Sequence, residues 1–200
     1  PSLVTRILVD GTHYNDYVTG YYSGNMGNFT ALAAEMNAQV TIKQLGETIT
    51  AEDLENVSLL VVSAPLKKEQ NGVSPTQETN FSEEYIQMVA DYAKNGGTVI
   101  LCGLADYQDS YNGAPFCSTE QINPILVAMG STLRPNDDEV LDDDTNYNGG
   151  ATQTYRVYMD KFNTQDFPQL FEGLQEGQVY NAYSGCSVDL GENGEALVMG

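Results

Sequence analysis

Apolar and polar positions along the chain fall into two kinds of run. Short continuous apolar stretches are bounded by turn residues: residues 3–10, closing on Ile7-Leu8-Val9-Asp10, then Ser58-Leu59-Leu60-Val61-Val62-Ser63 and Thr98-Val99-Ile100-Leu101-Cys102-Gly103. Such runs suit strands covered on both faces, as in a parallel sheet. Between them lie helical patterns. Residues 30–36 have helical composition, with Asn28 or Thr30 predicted as the cap. Residues 81–95 give the clearest helix: Ser82 caps it, Glu83 and Glu84 favour its positive end, and Tyr85, Met88, Val89 and Tyr92 form an apolar stripe. Asn95-Gly96-Gly97 ends it. Residues 39–45 alternate loosely as a short strand, and residues 50–54 read as a capped helical turn. Strand, helix, strand, helix, strand predicts an α/β fold, with a mostly parallel central sheet and helices on both faces.

Past Gly103 the pattern thins. A helix is predicted over residues 119–129, with Pro124 inside or near its first turn, and residues 130–141 lead into a strand or extended segment. Further strands are predicted over 154–159, 179–188 and 196–199, as additions in the C-terminal half. Two hundred residues, 41% of them hydrophobic, fit a single α/β domain over residues 1–200. The start, Pro1-Ser2-Leu3, and the finish on an apolar run both suggest a domain excised from a larger protein.

Charge alters the list of partners more than the fold. The chain carries 28 acidic against 8 basic residues, a net charge of −20. That field repels phosphates and anionic lipid, so nucleic acid is not an expected partner. No apolar run approaches the ~20 residues of a membrane span, so insertion is not expected. Cys102, Cys117 and Cys186 form no CxxC pair or Cys/His cluster, so zinc is not expected either. Cys102 lies in an apolar run and reads as a buried thiol; Cys117 and Cys186 could pair or stay free.

The order Ile7-Leu8-Val9-Asp10, the turn Ile49-Thr50-Ala51-Glu52-Asp53-Leu54, the strand Leu59-Leu60-Val61-Val62, and a helix ending Tyr92-Ala93-Lys94-Asn95-Gly96-Gly97 before an apolar strand resemble class I glutamine-amidotransferase-like domains. The likeness is to their non-catalytic branch in secreted bacterial multidomain proteins, and residues 3–105 carry it. It implies a flavodoxin-like fold and an extracellular or cell-surface location. The family's enzymes use a cysteine in a Gly-x-Cys-x-Gly turn and a C-terminal His-x-Glu pair. This chain has Ser63-Ala64-Pro65-Leu66 after the strand, and its single histidine is His13. The resemblance therefore implies the fold and argues against the reaction.

In open α/β sheets ligands bind beyond the carboxyl ends of the strands. The loop from Asp10 to Asn28 is the most unusual there. Asp10, His13, Tyr14, Asn15, Asp16, Tyr17, Tyr22 and Asn25 are the candidate ligand-binding residues, since tyrosine, asparagine and glycine together offer flat apolar faces with hydrogen-bonding groups. A carbohydrate, a peptide or an adjacent domain of the parent protein fits that chemistry; a loop merely folded over the sheet edge is the plainer reading. A hydrolase using His13 with Asp10 or Asp16 is the enzymatic alternative, and a structural spacer the third. Residues 23–30 match a flavin phosphate loop poorly, because the loop is too long after the strand. Asp144, Asn146 and Asn148, followed by Gly149, fit the start of a calcium loop; its closing glutamate is missing, with Tyr155 in that place, and an ordinary Asp/Asn/Gly turn explains the run as well.

Overall fold

The structure, a computed structural model, describes residues 4–20, 22–67, 69, 71–106, 116–147, 149 and 152–200. The chain divides into two compact units, Pro1–Gly103 with Gln108–Gly130, and Leu104–Tyr107 with Ser131–Gly200.

The first unit is an α/β layer structure. Its strands are β1 (Thr5–Asp10), β2 (Ala38–Lys43), β3 (Leu59–Ser63) and β4 (Thr98–Cys102), and its helices are α1 (Gly27–Glu35), α2 (Glu83–Lys94) and α3 (Ser118–Met129). The four strands form one sheet in the order β2-β1-β3-β4, parallel throughout. Alternation along β1 separates two cores. Leu8 joins Leu60 and Val62 against Tyr85, Val89 and Ile125 of α2 and α3. Ile7 and Val9 join Val61 against Ala33 and Phe29 on the α1 face. Helices thus cover both faces, as the sequence pattern predicts.

Local chemistry explains the helix ends, with one correction. Ser82 caps α2 by accepting a 3.1 Å bond from the Tyr85 N–H. At its other end the N–H of Gly97 reaches the Tyr92 carbonyl and that of Gly96 the Ala93 carbonyl, a Schellman closure. Gly96 adopts φ +96, and a Cβ on Gly97 would overlap the Tyr92 ring, so the two glycines serve different needs. The α1 cap expected from Asn28 or Thr30 is not formed. The helix begins at Gly27, Met26 stands at the cap position, and no side chain caps it. Thr30 lies inside the helix and its hydroxyl bonds back to the Met26 carbonyl at 2.9 Å, as helical threonines can. The turn over residues 50–54 contains a 3-10 element, Glu52–Leu54, closed by reciprocal bonds between Thr50 and Asp53.

The second unit is built from short antiparallel pairs: β5 (Arg134–Pro135) with β9 (Val188–Asp189), β6 (Arg156–Met159) with β8 (Tyr180–Tyr183), and β7 (Lys161–Phe162) with β10 (Val198–Met199). The expected strand over 179–188 is therefore two strands, and the segment over 130–141 is a strand at Arg134–Pro135, with further backbone bonds from Asn136 to Ser187 and from Val140 to Gly185. Within this unit the Arg156 guanidinium lies over the rings of Tyr147 and Tyr183, at 5.2 and 5.4 Å.

Candidate functional site

Because β2 and β3 flank β1 on opposite sides, the chain direction across the sheet reverses between β1 and β3. In a parallel sheet this is the position where loops diverge and leave room for a ligand. Asp10 ends β1 there and Ser63 ends β3.

Asp10 is fully buried. Its Oδ1 accepts from the Thr12 N–H at 2.8 Å and the Thr12 hydroxyl at 2.7 Å. Its Oδ2 accepts from the Tyr85 hydroxyl at 2.7 Å, His13 Nδ1 at 2.9 Å and Asn15 Nδ2 at 3.2 Å. A buried carboxylate needs such company, because an unpaired charge in that position costs several kcal/mol, roughly. Burial pushes the Asp10 carboxyl up, but the hydrogen bond and electrostatic pull of His13, with the Thr12 and Tyr85 bonds, outweigh it and hold the group below its ordinary value. For Tyr85 every influence has one sign: burial first, then the charge and hydrogen bond of Asp10, raise its phenol well above 10. Tyr85 is a fixed donor.

Asn15, also fully buried, fastens the loop to the rest of the sheet edge. Its Nδ2 donates to the Ser63 carbonyl at 2.8 Å as well as to Asp10, and its Oδ1 accepts from the His13 N–H at 2.9 Å. Its own carbonyl accepts from the N–H groups of Val18, Thr19 and Gly20. The backbone repeats the attachment. Asp16 N–H donates to the Ala64 carbonyl, Leu66 N–H to the His13 carbonyl, and the Ser63 hydroxyl to the Asp16 carbonyl. The segment after β3 is thus occupied by the loop that follows β1.

The His13 ring is wedged edge-on against Phe81 and Tyr85, with centroids 5.0 and 4.7 Å away. A carboxylate only accepts, so Nδ1 carries the hydrogen that faces Asp10. Among the described residues no hydroxyl or thiol hydrogen-bonds Nε2. An Asp–His pair of this kind orients an imidazole for proton transfer; a nucleophile beside it is what a hydrolase would add.

The other candidate residues divide. Tyr17 and Tyr22 stack, centroids 5.1 Å apart and rings 18° from parallel, both half-buried. Tyr14 and Tyr17 hold φ of 53 and 67, left-handed values that cost on the order of 1–3 kcal/mol for a bulky side chain. The hydrogen bonds around Asn15 over-determine this geometry. Asp16 is buried, while Asn25 is exposed in the turn before α1. The structure therefore brings Asp10, His13 and Asn15 into one network and joins Tyr17 to Tyr22. It adds Thr12, Ser63, Phe81 and Tyr85, none of which stands out in the sequence as a site residue. Tyr85 and Phe81 come from the start of α2, where an aromatic reads as core; their only signal is an unusually aromatic helix entry.

In the proposed calcium loop, Asp144 is exposed and Asn146 buried, and Asn148 lies outside the described residues. The segment is organised by Asp142, whose carboxylate accepts from the N–H groups of Asp144 and Thr145 and from the Thr145 hydroxyl. Asn146 donates to the Asp142 carbonyl at 2.7 Å. That is the geometry of an Asx turn. Among the described residues no group of three or more His, Cys, Asp or Glu is placed to hold a metal ion, and no helix is long and apolar enough to cross a membrane.

No protein-family model matches the chain, and no curated protein sequence matches it. The fold has a solved counterpart in the mmIFT52 N-terminal domain, with a TM-score of 0.62 and 14% identity over 97% of this chain and 72% of that one. At that identity the likeness is one of fold.

Proposed function

We propose that this chain is a non-catalytic interaction module, on an amidotransferase-like sheet, of a secreted or cell-surface bacterial protein. It recognises a carbohydrate, a peptide or a neighbouring domain through the loop from Asp10 to Asn28. The observation that carries this reading is the filling of the sheet edge after β3. Where the family's enzymes place a cysteine turn, Ser63, Ala64 and Leu66 are engaged by Asp16 and His13. Asp10 is engaged by five donors from its own unit. Such a network spends its polar groups on holding a loop still. A loop held still around a stacked tyrosine pair supplies aromatic contact area with little ordering cost on binding.

Glycan and peptide arrays probed with the protein and with Tyr17→Ala and Tyr22→Ala variants test the proposal. Specific binders that both substitutions weaken by about tenfold or more would support it, tenfold being the ordinary scale of an aromatic anchor. Binding that neither substitution alters, or none at all, would remove the loop as the recognition surface.

A second reading, a hydrolase, is favoured by the 2.9 Å approach of His13 Nδ1 to Asp10. It requires turnover of ester, peptide or glycoside substrates that His13→Gln abolishes and Tyr17→Ala leaves intact.

A further inference from the structure

The outer side of α2 borders a concavity, away from the Asp10 network. It is a groove of about 970 Å³ between α2 and the segment leading into β3. Glu84, Gln87, Met88, Asp91, Tyr92 and Asn95 line it from the helix at the three- and four-residue spacing of one helical face. Leu54, Val57, Met88 and Tyr92 belong to or pack on the core beneath it. The Tyr92 hydroxyl donates to the Val57 carbonyl at 3.0 Å, tying the two walls together. Gly97 has no side chain where the Tyr92 ring lies. The floor is therefore apolar and fixed, in a part of the fold whose helix ends are both closed by hydrogen bonds.

The rim is of one sign. Glu55, Glu83, Glu84 and Asp91 line the groove, and no Lys, Arg or His does. All four are exposed. Lys43, at the end of β2, is engaged by Asp53 of the turn over residues 50–54 at 2.9 Å, and Lys94 of α2 does not line the groove. A groove with an apolar floor and a carboxylate rim is complementary to one kind of polypeptide: a segment with apolar anchors flanked by Lys or Arg. The 12-residue α2 spans ~18 Å, which admits a helix of similar length or five to six extended residues, roughly.

We propose that this groove docks a basic, apolar-anchored segment of a partner protein, as a site separate from the first loop. Long-range attraction from a chain of net charge −20 would speed the encounter, and the floor would hold the bound segment.

The test uses three fluorescent peptides of one apolar pattern, with Lys/Arg, Gln or Glu at the flanking positions, measured by anisotropy against the whole chain. The basic peptide is expected to bind, and the Gln and Glu peptides to bind at least about tenfold more weakly. The surface variant Glu55→Gln/Glu84→Gln/Asp91→Asn should lose about tenfold for the basic peptide, whereas Tyr17→Ala should not change it. Chemical-shift changes should centre on Met88 and Tyr92. Equal affinity for the basic and Gln peptides would overturn the proposal. So would shifts centred on the Asp10–Asn28 loop, or complete competition by spermine at the ionic strength used, which would reduce the effect to a cation atmosphere.

Discussion

The phenol of Tyr85 donates a 2.7 Å hydrogen bond to the buried Oδ2 of Asp10, joining the first turn of α2 to the last residue of β1 across 75 positions of sequence. Tyr85 is itself buried, and its ring stacks on Phe81 and meets His13 edge-on. Removing the hydroxyl leaves the packing but takes one donor from a buried charge. Tyr85→Phe should lose about 1.5–3 kcal/mol of unfolding free energy, the range for a hydrogen bond to a charged group. Urea denaturation checks this; an unchanged midpoint would mean the bond contributes nothing net. In a spectrophotometric titration, the difference between wild type and this variant should lack any phenol ionising near pH 10, since Tyr85 is raised well above that value.

The same network fixes a pH dependence. Asp10 has a folded-state pKa below its ordinary value. Its contribution to stability is therefore complete above the unfolded value, about 3.9, and is lost as pH falls through the folded one. Asp10→Asn keeps one acceptor and places an amide among donors, at a cost of about 3 kcal/mol near neutral pH. The stability gap between wild type and variant should then narrow as pH falls from about 5 to about 2. A gap independent of pH over that range would show that folding leaves the Asp10 pKa unshifted, and a gap that widens on acidification would show that Asp10 is not ionised in the native protein.

What sequence alone could see follows from where the partners lie. The run Leu59–Ser63 reads as a strand because both its faces are covered, and residues 83–94 read as a helix because the stripe through Tyr85, Val89 and Tyr92 faces one core. Asp10 and His13 stand out because a carboxylate ends an apolar strand and the chain's single histidine follows it. Their partner Tyr85 does not, and neither does Ser63, which holds Asn15 and Asp16, since each comes from a separate element and each has an ordinary local role. The strands of the second unit are two to four residues long, too short to establish a period. The α1 cap does not follow from sequence, because Asn and Thr near a helix start suit either the cap or the first turn, and here Met26 stands at the cap position.

Loop geometry gives a paired comparison of glycines. A Cβ at Gly20 would overlap the Tyr14 carbonyl oxygen and crowd that of Asn15, the acceptor for three loop N–H groups. Gly24 lies in the same loop at φ +95 with open space around it. Gly24→Ala should cost about 1 kcal/mol, from backbone strain alone. Gly20→Ala should cost about 3 kcal/mol or more, because backbone has to move. Thermal denaturation separates the two. Hydrogen exchange at Val18 and Thr19 should accelerate in the Gly20 variant only, and equal behaviour of the two would show that the Asn15 turn is not rigid.

Thiol chemistry should be quiet. None of Cys102, Cys117 and Cys186 is in a disulfide, and Cys117 is buried. Burial raises the Cys102 thiol, and burial followed by the charges of Asp106 and Asp138 raises that of Cys186. The nucleophile is the thiolate, so a raised pKa leaves little of it at pH 8. Alkylation of the native protein there should run at least about tenfold slower than for an unperturbed cysteine. In denaturant without reductant, mass spectrometry should count three reactive thiols. Fast native labelling at Cys102 would contradict its burial, and a count of one would mean that Cys117 and Cys186, or another pair, are joined.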